Sequence, residues 1–87
     1  MASGERVGVV SHYYNRINVA VIDLRKDLQQ GELIHFLGAH TDFKQRVESM
    51  QVEHDRVEQA QAGTQIAVQV KQRVRRNDSV YRLVEQS

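Results

Sequence analysis

The chain has 87 residues, 40% of them hydrophobic, with 12 Lys and Arg against 11 Asp and Glu for a formal net charge of +1. Such a length has room for one domain over residues 1–87, ordered from about 5 to 85, with a core too small to enclose an active site. The absence of cysteine excludes disulfides, thiolate nucleophiles and zinc–thiolate centres, while the balanced charge neither demands nor forbids nucleic acid. The start, Met1 to Arg6, lacks the apolar stretch of a signal peptide, and the longest apolar run, Val19 to Ile22, is far short of a membrane span. These features predict a cytoplasmic protein that does not enter the membrane.

Branched residues at period two dominate the chain, which predicts strands. Arg6 to Tyr14 reads as the first strand, with Gly8 marking a bulge or a close backbone approach. Asn15-Arg16 reads as a tight turn, and Ile17 to Leu24 as a second strand covered on both faces. In the polar connection Arg25 to Gly31, Leu28 tucks into the core and Gly31 supplies a positive φ. Glu32 to Gly38 forms the third strand and Ala39 to Asp42 the next turn. Phe43 to Glu53 is a long fourth strand whose apolar phase flips near Ser49, as a β-bulge would cause. Arg56 to Gly63 is read as one helical turn stopped by Gly63. Thr64 to Lys71 alternates, with Ile66, Val68 and Val70 inward; Gln72 to Asp78 is a charged loop; Ser79 to Val84 is the last strand. Six short strands separated by turns predict a small six-stranded antiparallel β-barrel, closed or nearly so.

The landmarks Gly8-Val9-Val10, Val19-Ala20-Val21-Ile22, Leu28-x-x-Gly31-x-x-Ile34 and Gly38 occur in a telling order. They continue through Thr41-x-Phe43, Val47-x-Ser49-Met50-Gln51 and Val57-x-x-Ala60-x-x-Gly63. This series resembles the β-barrel second domain of elongation factor Tu, and over nearly the whole chain it looks like the small proteins called translation elongation factor-like. It is also similar to the C-terminal domain of the collagenase-like peptidase family. The stretch Val70-Lys71-x-x-Val74-Arg75-x-x-Asp78-x-Val80-Tyr81 extends the match, with Asn77 where a glycine would be usual; Asn holds the same left-handed turn. The resemblance implies the translation-protein barrel type and an association with transfer or ribosomal RNA. No Gly-x-x-x-x-Gly-Lys-Ser/Thr loop is present, so no nucleotide is expected to bind.

Lys71, Arg73, Arg75 and Arg76 place four cations within six residues, and Tyr81 and Arg82 follow closely. Cations with an aromatic side chain suit phosphates and a stacked base, which makes these six residues the expected nucleic-acid site. A solvated charged turn is the plainer alternative. Tyr13, Tyr14 and Arg16 at the first hairpin offer a partner-binding spot, although alternation puts the two tyrosines on opposite faces. His12, His35, His40 and His54 have no ligand spacing, so neither a metal nor any other cofactor is expected. Ser11-His12 has no orienting acid or oxyanion hole, and Glu48, Glu53, Asp55 and Glu58 read as solvent-facing carboxylates; catalysis is not expected.

The expected function is therefore a non-enzymatic, translation-factor-like module that binds RNA. The alternative is a protein-interaction module, an accessory or lid piece for a collagenase-like peptidase-family enzyme.

Overall fold

The computed structural model describes residues 4–84; Met1–Ser3 and Glu85–Ser87, which include the end of the expected ordered segment, lie outside the described residues. Every regular element is a strand: β1 (Gly4–Tyr14), β2 (Val19–Leu24), β3 (Leu28–Gln29), β4 (Leu33–Gly38), β5 (Thr41–Arg46), β6 (Met50–Val52), β7 (Asp55–Val57), β8 (Gln59–Ala60), β9 (Gln65–Gln69) and β10 (Ser79–Leu83). Eight of them form one antiparallel sheet in the order β5-β4-β10-β1-β2-β9-β6-β7, and β3 pairs with β8 in a separate ribbon. The all-β class is as expected. The closed six-stranded barrel is not, since the hydrogen-bonded order is open, with β5 and β7 at its edges.

The open edge has a local cause. The long fourth strand expected over Phe43 to Glu53 is broken at Val47–Ser49, which belong to no strand. Burial alternates through Thr41, Phe43, Gln45 and Val47 and resumes at Met50, so the apolar phase flips across the break. Residues before the break pair with β4, and residues after it pair with β9 and β7. Where a ladder between β5 and β9 would lie, the Gln45 side chain spans the gap: its amide donates to the Gln69 carbonyl at 3.0 Å, and its oxygen accepts the Lys71 N–H at 2.8 Å.

The sheet nonetheless curls around one core. Phe43 and Val47 from one end join Met50, Ile66 and Val68 from the other in a single buried cluster. Curling starts in β1, which carries two bulges. Val7 is extra against β10 and Ser11 is extra against β2, so the strand bends twice and pairs with both neighbours. Gly8 sits at the first bend because a Cβ there would lie 2.7 Å from the Asp23 carbonyl oxygen. Leu28 and Ala60 of the small ribbon are buried and close one end of the core.

Two further expectations are corrected. Residues 56–63 make no helical turn: Glu53 and His54, both at positive φ (50° and 71°), form a two-residue turn that folds β7 back on β6. The first hairpin turn is longer than Asn15-Arg16. It runs to Asn18, which takes the positive φ of 56°, and this leaves Ile17 outside β2 and 59% exposed. Gly31 (φ 94°) and Asn77 (φ 75°) adopt the left-handed conformations the sequence predicts.

Candidate functional site

The residues expected to form one basic site separate into three places. Arg73, Arg75 and Arg76 lie on the exposed loop between β9 and β10, and with Val74, His12 and Tyr13 they line a shallow depression of about 310 Å³. Lys71, at the start of that loop, faces Glu48 at 3.7 Å. Tyr81 points to a different hollow, lined by Gly4, His35, Leu37, Lys44 and Leu83.

Arg82 is committed elsewhere. Its guanidinium meets Glu5 at 2.7 Å, Glu32 at 3.2 Å and Asp27 at 3.6 Å, and also donates to the Asp27 carbonyl at 2.8 Å. The hydrogen bond to Glu5 raises the Arg82 pKa further above its ordinary value. The Arg82 and then the Lys26 hydrogen bonds hold the Glu5 carboxyl below its ordinary value. Three carboxylates around this one β10 arginine tie β1, the β2–β3 connection and the β3–β4 connection to β10. They also present negative charge where a phosphate would have to sit.

The first hairpin joins the arginine loop. Tyr13 and Tyr14 differ in burial, Tyr13 half-buried and Tyr14 exposed. Tyr13 packs on the core and donates its hydroxyl to Asn18 at 3.2 Å, whereas Tyr14 is 49% exposed with its ring 4.5 Å from that of His12. Tyr13 is shared: it lines the arginine depression on one side and, with Tyr14, Asn15, Arg16 and Ile17, a second hollow on the other. Two groups that look separate in sequence thus form one surface. His12 and Ile17 were not among the expected site residues. Ile17 reads as a strand position, and only the turn's true length exposes it.

The hairpin and loop are fastened by backbone bonds. Val10 N–H donates to the Asp78 carbonyl and Asn77 N–H to the Val10 carbonyl, both at 2.8 Å. Val70 N–H donates to the Asn18 carbonyl at 2.8 Å, and the buried Val74 side chain pins the loop's middle. The Asp78 carboxylate accepts the Arg75 N–H at 2.8 Å. Among the described residues, Arg16, Arg73, Arg75 and Arg76 form no ion pair.

Other polar side chains bond within the chain. His35 Nε2 lies 2.6 Å from Asp42 Oδ1, and the Ser11 hydroxyl donates to the Val21 carbonyl at 3.2 Å. Among the described residues, no three His, Asp or Glu side chains converge as metal ligands, and no helix is long and apolar enough to cross a membrane.

Comparison with known proteins finds the same fold in a solved domain and a relative in sequence. The architecture is that of the C-terminal domain of a Geobacillus thermoleovorans protein described as a U32 peptidase. The match has a TM-score of 0.85 at 20% identity, over 90% of this chain and 91% of that domain. The selenomethionine form of the same domain gives 0.85 and 20% over 88% and 98%. In sequence, 80 residues, 91% of the chain, are 38% identical to an uncharacterized protease of Methanocaldococcus jannaschii. The chain spans about a fifth of the length of that curated relative, 20%. No known protein-family profile matches it.

These matches overturn the expectation of a translation-factor-like module bound to transfer or ribosomal RNA. They carry the peptidase side of the resemblance and not its elongation-factor side.

Proposed function

We propose that the chain is an accessory module of a U32-type peptidase, docking on the catalytic portion and contributing no catalytic group itself. The observation that carries this reading is the 38% identity over 80 residues with one-fifth of a protease, and the shared fold supports it. A module covering so small a share of its relative leaves most of that protein to supply the chemistry. The Ser11 hydroxyl is spent on a backbone carbonyl, and the His12 ring lies tilted against that of Tyr14 at 4.5 Å.

The test is capture of the tagged chain from its native cells, with nuclease treatment and moderate salt, followed by mass spectrometry. The expected result is one abundant protein of the U32 peptidase type, retained after nuclease treatment. Capture that nuclease abolishes, or that yields no peptidase of this type, contradicts the reading.

A further inference from the structure

Lys26, Lys71 and Arg82 each face a carboxylate of this chain, whereas Arg16, Arg73, Arg75 and Arg76 face none among the described residues. Arg6, Arg25, Lys44 and Arg56 also form no ion pair among the described residues, but Arg16, Arg73, Arg75 and Arg76 are the ones gathered on a single surface. All four lie on the surface where the first hairpin meets the loop between β9 and β10, on either side of Tyr13. The same surface carries the exposed Tyr14 and Ile17, two of the few large hydrophobics left in solvent. Aromatic, aliphatic and arginine groups together are the composition of a protein-binding hot spot.

Geometry adds rigidity to composition. The hairpin is bonded to the loop through Val10, Asn18, Val70, Asn77 and Asp78, so the backbone that displays these groups is fixed before any partner arrives. A surface ordered in advance loses less entropy on binding. Charge selects the partner, since four cations without internal counter-ions favour a segment rich in Asp and Glu. The aliphatic Ile17 beside Tyr14 calls for an apolar side chain within that segment, which a nucleic-acid backbone does not supply.

We infer that Arg16, Arg73, Arg75 and Arg76, with Tyr14 and Ile17, form a docking surface for an acidic segment bearing an apolar anchor, carried by the peptidase's catalytic portion. This inference rests on the accessory-module reading and adds to it the face and the chemistry of the contact.

The experiment measures binding of purified chain to the U32-type peptidase identified by capture, from low to physiological salt, with total transfer RNA as a parallel probe. Two variants run alongside: Arg73→Glu/Arg75→Glu/Arg76→Glu, and Tyr14→Ser/Ile17→Ser. All these side chains lie outside the core, so both variants are expected to keep the parent's melting curve. The expected result is salt-sensitive binding to the peptidase, weakened on the order of tenfold or more by each variant. Binding by the parent that both folded variants retain overturns the docking surface and leaves the accessory reading intact. No binding of the parent to the peptidase overturns the accessory reading and this inference with it. Transfer RNA bound at physiological salt through the same arginines overturns the assignment to an acidic protein segment.

Discussion

The Asp78 carboxylate occupies the space beside Gly38 that any other residue's Cβ would need: a Cβ built there falls on Asp78 Oδ1 and lies 2.7 Å from Cγ. The carboxyl group is buried, and its second oxygen holds the Arg75 N–H. Gly38 ends β4 and Asp78 precedes β10, so this contact joins a strand end to the loop that displays the arginines. Gly38→Ala must displace the carboxylate and loosen that bond, at a cost of about 1–3 kcal/mol. In a domain of this size that lowers the melting temperature by about 4–8 °C for each kcal/mol. The same substitution made in an Asp78→Ala background is expected to cost clearly less, because the obstructing group is gone. Equal costs in the two backgrounds would remove Asp78 as the reason for the glycine.

Gln45 supports the open edge in place of a strand ladder. It is 5% exposed, and both ends of its amide are used across the gap, on Gln69 and Lys71. Gln45→Leu keeps the bulk but leaves a backbone N–H and a carbonyl without their partner, a loss of about 1–3 kcal/mol. Hydrogen exchange locates the effect: the Lys71 amide should exchange faster in the variant, while amides of the β1–β2 ladder should follow global stability alone. An unchanged Lys71 rate would show that the bridge carries no local protection.

The turn between β6 and β7 marks where sequence reading stops. Glu53 and His54 both sit at positive φ, a conformation that two-residue hairpin turns reserve for Asn and Gly. With neither residue present, nothing local announces the hairpin, and Val57, Ala60 and Gly63 read as a helical turn instead. Replacing the pair by Asn-Gly relieves two left-handed non-glycine residues at some entropic cost for the new glycine, a net gain of about 1 kcal/mol. Thermal melting of Glu53→Asn/His54→Gly checks it, and a lowered midpoint would count against the turn described.

The same contrast runs through the fold. Gly8, Leu28, Gly31 and Asn77 were legible because each answers a local demand: close approach, an apolar side chain in a polar connection, or positive φ. Alternation was enough to find Ile66, Val68 and Val70. Register and closure were not, because Gln45 looks like any polar residue until the strand facing it is known. The candidate surface was half legible. Tyr13, Tyr14, Arg16 and the arginine run stand out by residue type, but only the fold joins them, and only the fold turns Arg82 away into its own carboxylates.

That carboxylate cluster gives the protein an acid-sensitive contact. Glu5 has its pKa held below the ordinary value of 4.5, first by the Arg82 hydrogen bond and then by Lys26. A depressed folded-state pKa stabilises the fold above the unfolded value, and the contribution is lost as pH falls through the folded value. The stability difference between the parent and Glu5→Gln should therefore be full at neutral pH, begin to shrink near pH 4.5 and vanish in stronger acid. Both partners are partly solvated, so added salt should narrow the difference at neutral pH as well. Denaturant unfolding across this range measures both effects. A difference that persists unchanged into strong acid would sever Glu5 from the pH response.

Thr41 opens β5 with its hydroxyl buried and without a hydrogen-bond partner in the described structure. A buried hydroxyl gives up its bonds to water on folding and here recovers none, so its desolvation is a net cost. Valine has nearly the same shape and the same branching at Cβ, which suits a strand. Thr41→Val should therefore stabilise the domain by about 1 kcal/mol, against the usual expectation that a core hydroxyl is there because it bonds. Thr41→Ser separates shape from polarity: it keeps the hydroxyl, removes a methyl from the core and should destabilise by about 1 kcal/mol. If valine instead lowers the melting midpoint, the hydroxyl has a partner in solution, and the turn between β4 and β5 must hold it.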